Sequence, residues 1–192
     1  MLIGLFLHIA LTVHRPPAVA SGLIDAAVAE AAGIWAPYGV AIDAAPDGCE
    51  GCAACGAADD SYRALTVVAI ETRRSIVAPG WHGALGAITF TPDGTPAPVI
   101  TVFLTDIERF IAVGQLAGMP PSLWPETMRQ EILGRVLGRV IAHEIGHYVL
   151  RSPQHAANGL MRPLQFASDL AAPSRRRFML TAVDAGRLGD RR

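Results

Sequence analysis

The stretch Pro125–Leu150, PETMRQEILGRVLGRVIAHEIGHYVL, decides how this chain folds. Pro125 suits a first helical turn, Glu126 complements the positive end of a helix, and nothing interrupts the run before Ser152-Pro153. At about 100° per residue, Ile132, Val136 and Val140 make an apolar stripe that continues into His143 and His147. A second row, Gly134, Gly138, Ala142 and Gly146, recurs every four residues on another face. Each interior glycine costs up to about 1 kcal/mol, so this row predicts another element packed on the helix at short backbone distance.

Within the stretch, His143-Glu144-Ile145-Gly146-His147 reads H-E-x-x-H. Positions i and i+4 share a helix face, so both imidazoles can reach one metal ion. The intervening glutamate then sits beside an activated water, where it can take a proton. A catalytic zinc takes three protein ligands and keeps one position open. His155, beyond Arg151-Ser152-Pro153, is the third candidate, presented by a loop that turns back. His8, His14 and His82 lie far upstream without ligand spacing and read as strand or loop residues. No glutamate follows Glu144, which leaves Asp169 and Asp184 as the alternative acidic ligands.

After His155 comes Gly159-Leu160-Met161-Arg162-Pro163, and here the sequence resembles the metzincin family of zinc endopeptidases, matrixin-like bacterial members in particular. The resemblance implies His143, His147 and His155 as zinc ligands, Glu144 as general base, and Met161 as the methionine of a tight turn beneath one catalytic zinc ion. The family places a glycine three residues after the second histidine and its third histidine three residues later. This chain has Leu150 at that glycine position, and its His155 comes two residues late. Leucine does not readily take the left-handed backbone that glycine allows, so the helix is expected to run about one more turn and reverse at Ser152-Pro153.

The family likeness also implies an α+β fold: a twisted mixed five-stranded sheet, two long helices on one face, and a small C-terminal subdomain with a last helix. The residues agree with that order. Strands are expected over about Leu5–Val13, from Val40, over Ala64–Glu71, over Gly83–Phe90 and over Val99–Leu104. Ser21 is a candidate cap for an alanine-rich helix to about Trp35, and a short helix is expected from Asp106 to about Leu116. Ser174 is a candidate cap for the last helix, with Phe178, Val183 and Leu188 in the core. The fourth strand would lie antiparallel at the sheet edge, where Leu85, Gly86, Ala87 and Ile88 line the cleft. An exposed edge can accept an extended peptide as one more strand.

At 192 residues the chain reads as a single domain, an upper part to about residue 151 and a lower part from about 152. Sixteen basic residues, all arginine, against seventeen acidic ones argue against nucleic acid as the main partner. Arg175-Arg176-Arg177 reads as a solvated basic face. The apolar run Leu2–Val13 is too short to span a bilayer. It reads as a first strand, with a signal peptide ending near Ala18-Val19-Ala20 as the alternative. Cys49, Cys52 and Cys55 form C-x-x-C-x-x-C without a fourth cysteine, and read as a surface loop. The expected protein is a monomeric zinc endopeptidase acting on extended peptides, secreted or periplasmic by family likeness. The alternative is a catalytically silent zinc-binding module.

Overall fold

The computed structural model describes residues 7–45, 62–70, 84–112, 119–163 and 166–189. The three cysteines and His82 lie outside them. Strand β1, Leu7–His14, runs through the sheet interior with Ile9 and Leu11 fully buried and Ala10 and Thr12 half-covered, the period-two alternation of a strand with one packed face. It pairs in parallel with β2, Val40–Ala44, on one side and β3, Tyr62–Ile70, on the other. Beyond β3 come β5, Pro96–Phe103, in parallel, and then β4, Gly86–Phe90, antiparallel at the edge. The order is β2-β1-β3-β5-β4, a mixed five-stranded sheet in an α+β fold, as expected. β5 starts three residues earlier than the sequence suggests. Pro96 and Pro98 fit there because β3 pairs only from Val99 onward, so a proline without an N–H costs nothing on that side.

Two long helices cover one sheet face. Helix α1, Ser21–Trp35, follows Ala20, and Ser21 is its first residue with no side-chain cap bond, contrary to the capping role expected for it. A short helix α2, Leu104–Ala112, buries Leu104, Ile107 and Ile111. Helix α3, Glu126–Val149, buries every residue from Val136 to His147. The small-residue row of α3 meets α1. A side chain at Gly138 would run into the Ala27 carbonyl oxygen and come within 2.7 Å of Glu30 Cβ, and Trp35 Nε1 donates to the Ala142 carbonyl at 3.1 Å.

The same approach buries an arginine. Arg139 is fully buried, with Nε donating to Glu30 Oε1 at 2.9 Å and Nη1 to the carbonyls of Asp169 and Leu170 at 2.9 and 3.0 Å. Its Nη2 reaches the Ser174 carbonyl at 3.2 Å, and its guanidinium lies 4.4 Å above the Phe178 ring. Arg175 Nε donates to the other Glu30 oxygen at 2.8 Å, and Arg177 and Arg162 both pair with Asp169. The basic run is therefore ion-paired at its first and third residues and is not simply a solvated face.

The lower part carries α4, Ala167–Ala171, which the sequence reading missed, and α5, Ala182–Gly189. Thr181, in place of Ser174, caps α5: its Oγ1 accepts from the Asp184 amide at 3.1 Å and donates to Asp184 Oδ2 at 2.7 Å. Phe178 and Leu188 are buried as expected, but Val183 is 65% exposed because it faces outward on that short helix. Among the described residues, no helix is long and apolar enough to cross a membrane.

Gly138→Leu is expected to lose about 3 kcal/mol or more, because the added side chain meets α1 backbone that cannot yield. A thermal melt of the variant that matches the wild type would contradict this close packing.

Candidate metal centre

His143 and His147 lie one turn apart on α3, and the loop after the helix brings His155 to them. His143 Nε2 is 3.2 Å from both His147 Nε2 and His155 Nε2, and the candidate donor atoms of the three residues lie within 4.8 Å of one another. Two ligands held at 2.0–2.1 Å around a tetrahedral ion are about 3.3 Å apart, so the donor set fits zinc. The far ring nitrogens are fixed by backbone: His143 Nδ1 contacts the Leu160 carbonyl at 2.7 Å and His147 Nδ1 the Ser152 carbonyl at 2.6 Å. A carbonyl only accepts, so each Nδ1 carries the proton and each Nε2 presents a lone pair inward. Among the described residues these are the three that converge. His8 instead contacts Asp43, Asp169 is taken by two arginines, and Asp184 serves the α5 cap.

The reversal that delivers His155 differs from the expected one. Helix α3 ends at Val149, and Leu150 keeps right-handed geometry with φ −80°. Arg151 takes the left-handed turn at φ 46°. Its N–H bonds to the Tyr148 carbonyl, and the Ser152 N–H to the His147 carbonyl, both at 3.2 Å, the paired bonds that close a helix at a left-handed residue. The helix therefore gains no extra turn. The left-handed position moves one residue along and falls on an arginine, and Ser152-Pro153 lies beyond it.

Beneath the three histidines, Gly159 at φ 75° opens the turn Gly159–Arg162, closed by the Arg162 N–H to the Gly159 carbonyl at 3.3 Å. Met161, 2% exposed, puts its sulfur where a side chain at Gly146 would stand. The glycine between Glu144 and His147 is thus explained by the methionine below it. The turn also supplies the Leu160 carbonyl that holds His143, a role invisible in the sequence because it belongs to the backbone. Arg162, at the end of this turn, is tied to Asp169.

Glu144 is buried at 6% exposure with its Oε1 against the edge strand, 3.1 Å from where a Cβ at Gly86 would stand, and the Ile88 backbone N–H faces its carboxylate. Leu85, Gly86, Ala87 and Ile88 do lie along an antiparallel edge, although Leu85 is 5% exposed and faces the core. Burial raises the Glu144 carboxyl from 4.5 to about 7, against the opposing pull of the Ile88 bond. Burial lowers all three imidazoles, His143 to about 3 with further lowering from His147 and His155. All three are therefore neutral near pH 7, the form that binds metal.

No protein-family model matches the chain, and no curated protein matches it. Among solved structures the chain is similar to an archaemetzincin from Methanopyrus kandleri, with 14% identity over 98% of this chain and 96% of that one and a TM-score of 0.49.

Arg151→Gly is expected to stabilise the protein by about 1 kcal/mol, since glycine adopts the left-handed turn freely. A lower melting temperature in that variant would contradict the assigned turn. The titrating groups give a second expectation for the metal-free protein. Unfolded histidines protonate near pH 6.5 while the folded ones resist, so stability is lost as pH falls from 6.5 towards 3. Glu144 acts the other way: the fold holds its proton up to about pH 7 and the unfolded chain releases it near 4.5, so stability is lost as pH rises through that window. Metal-free Glu144→Gln is expected to be about 3 kcal/mol more stable than wild type at pH 8 and equal to it at pH 4, by urea melts. Equal stability at pH 8 would show that the carboxyl is not desolvated.

Proposed function

We propose that this chain is a metzincin-type zinc endopeptidase, with His143, His147 and His155 holding one zinc and Glu144 as general base. The observation that carries the reading is the convergence of three Nε2 atoms at ligand spacing beside a buried carboxylate on the same helix. A structural zinc site closes its fourth position with a side chain. Among the described residues the cluster offers three, which favours an open, catalytic centre over the silent module.

When bound, zinc supplies Lewis acidity to the scissile carbonyl and acidity to the attacking water, lowering its pKa to about 7. The protein's own residues do the rest. The Leu160 and Ser152 carbonyls keep the His143 and His147 rings turned with their basic nitrogens inward. Glu144, buried beside the three imidazoles, takes the proton of the attacking water and delivers it to the leaving amine. Burial around it strengthens both transfers by excluding competing solvent. Met161 moves no proton. It fills the space under Gly146 and braces the helix that carries two ligands. An extended peptide is the substrate that fits the edge strand β4, pairing with its outward N–H and C=O groups.

Glu144→Ala is expected to retain zinc while hydrolysis of a quenched peptide falls by about 100-fold or more. Retained turnover would remove Glu144 from its role. His155→Ala is expected to weaken zinc by more than the roughly 10- to 100-fold lost with a ligand's hydrogen-bond partner. Unchanged affinity would mean that the third ligand lies elsewhere.

A further inference from the structure

The edge strand does more than offer a place for substrate. Phe103 N–H donates to the Leu85 carbonyl at 3.0 Å, which fixes the direction of the β4 backbone groups. Leu85 and, by alternation, Ala87 aim theirs at β5, so Gly86 and Ile88 aim theirs away from the sheet. An outward edge N–H ordinarily meets water. The Ile88 N–H is instead placed to donate to the Glu144 carboxylate, whose Oε1 lies against this edge. Two residues back, the strand presses on the same side chain. A Cβ at Gly86 would stand 2.7 Å from Val140 Cγ1 and 3.1 Å from both Cγ and Oε1 of Glu144. The first contact is shorter than real side chains make, and the other two require Glu144 to give by a few tenths of an ångström. Glycine at position 86 lets β4 lie this close to α3 without displacing Val140 or Glu144.

We infer that β4 positions the general base: Gly86 admits the strand against α3, and the Ile88 amide then holds the Glu144 carboxylate by one charge-assisted hydrogen bond. Gly86 is a positioning residue, acting on the reaction only through Glu144. The inference rests on the reading of Glu144 as base for its catalytic consequence, but the contact itself is independent of any activity. It also has a mechanistic corollary. A peptide that adds to this edge meets an Ile88 N–H already engaged by the base, so strand addition and placement of the base compete for one donor.

The test combines amide hydrogen exchange at Ile88, followed by 15N–1H NMR, with peptide kinetics and zinc content, in wild type, Gly86→Ala, Gly86→Ala/Val140→Ala and Glu144→Ala. Ile88 is expected to be protected in wild type, and its exchange to speed up at least about tenfold in Glu144→Ala, which leaves β4 otherwise untouched. Gly86→Ala should show the same loss of protection, unchanged zinc content, and a fall in kcat on the order of 100-fold with KM within about twofold, the scale of a base displaced by roughly 1 Å. Removing Val140 Cγ1 in the double variant makes room for the new methyl and should restore much of both readouts. Ile88 exchange that is fast in wild type, or the same in Glu144→Ala, overturns the inference whatever the kinetics. A wild type without peptide hydrolysis, yet with Ile88 protection that depends on Glu144, overturns the proposed function and leaves the β4 contact standing.

Discussion

The guanidinium of Arg139 is the constraint from which the rest of the arrangement follows. An unpaired buried cation costs several kcal/mol, so the residue dictates its own surroundings. Helix α1 must bring Glu30 to it, and the chain beyond the metal loop must bring the carbonyls of Asp169, Leu170 and Ser174. Desolvation lowers the affinity of Arg139 for its proton, and the Glu30 carboxylate opposes that loss and keeps the charge in place. One helical turn further along α3 stands His143. The lower part of the chain is thus docked beneath the helix at the level of His143.

That docking matters for the metal centre because the lower part supplies backbone as well as side chains. The Leu160 carbonyl orients His143, and Met161 occupies the space that Gly146 leaves empty. On the opposite side of α3, the edge strand approaches Glu144 through Gly86 and Ile88. The helix is therefore gripped on three sides, by α1 at Gly138, by the methionine turn at Gly146 and by β4 at Glu144. Each grip works through a missing side chain or a backbone atom. In the metal-free protein burial keeps the imidazoles neutral and raises the Glu144 carboxyl.

The sequence made the periodic features readable. The α3 stripe, the buried H-E-x-x-H and the spaced small residues all express a 3.6-residue period, which survives without knowledge of neighbours. The five strands and the edge position of β4 were legible too, the latter through likeness to metzincins. Arg139 lies four residues before His143 on the same buried row, so a charged residue on an apolar face was in view, but its partners are 30 to 109 residues away and no local pattern names them. The reversal after α3 escaped for a different reason. Glycine is the expected left-handed residue, and a structure that places Arg151 there spends local strain that packing elsewhere must offset. The Leu160, Ser152 and Ile88 contacts are backbone-mediated and leave no residue-type signal. Val183 was read as core because it is apolar, although on an eight-residue helix either face was open to it.

The claim on which the account rests is that three imidazoles and no other protein donor hold the metal. X-ray absorption at the zinc edge, on the zinc-loaded protein in solution, addresses it directly. Three nitrogen scatterers at about 2.0–2.1 Å with imidazole outer-shell features, and one further light oxygen donor, are the expected result. A sulfur scatterer near 2.3 Å, or only two imidazoles, would contradict it.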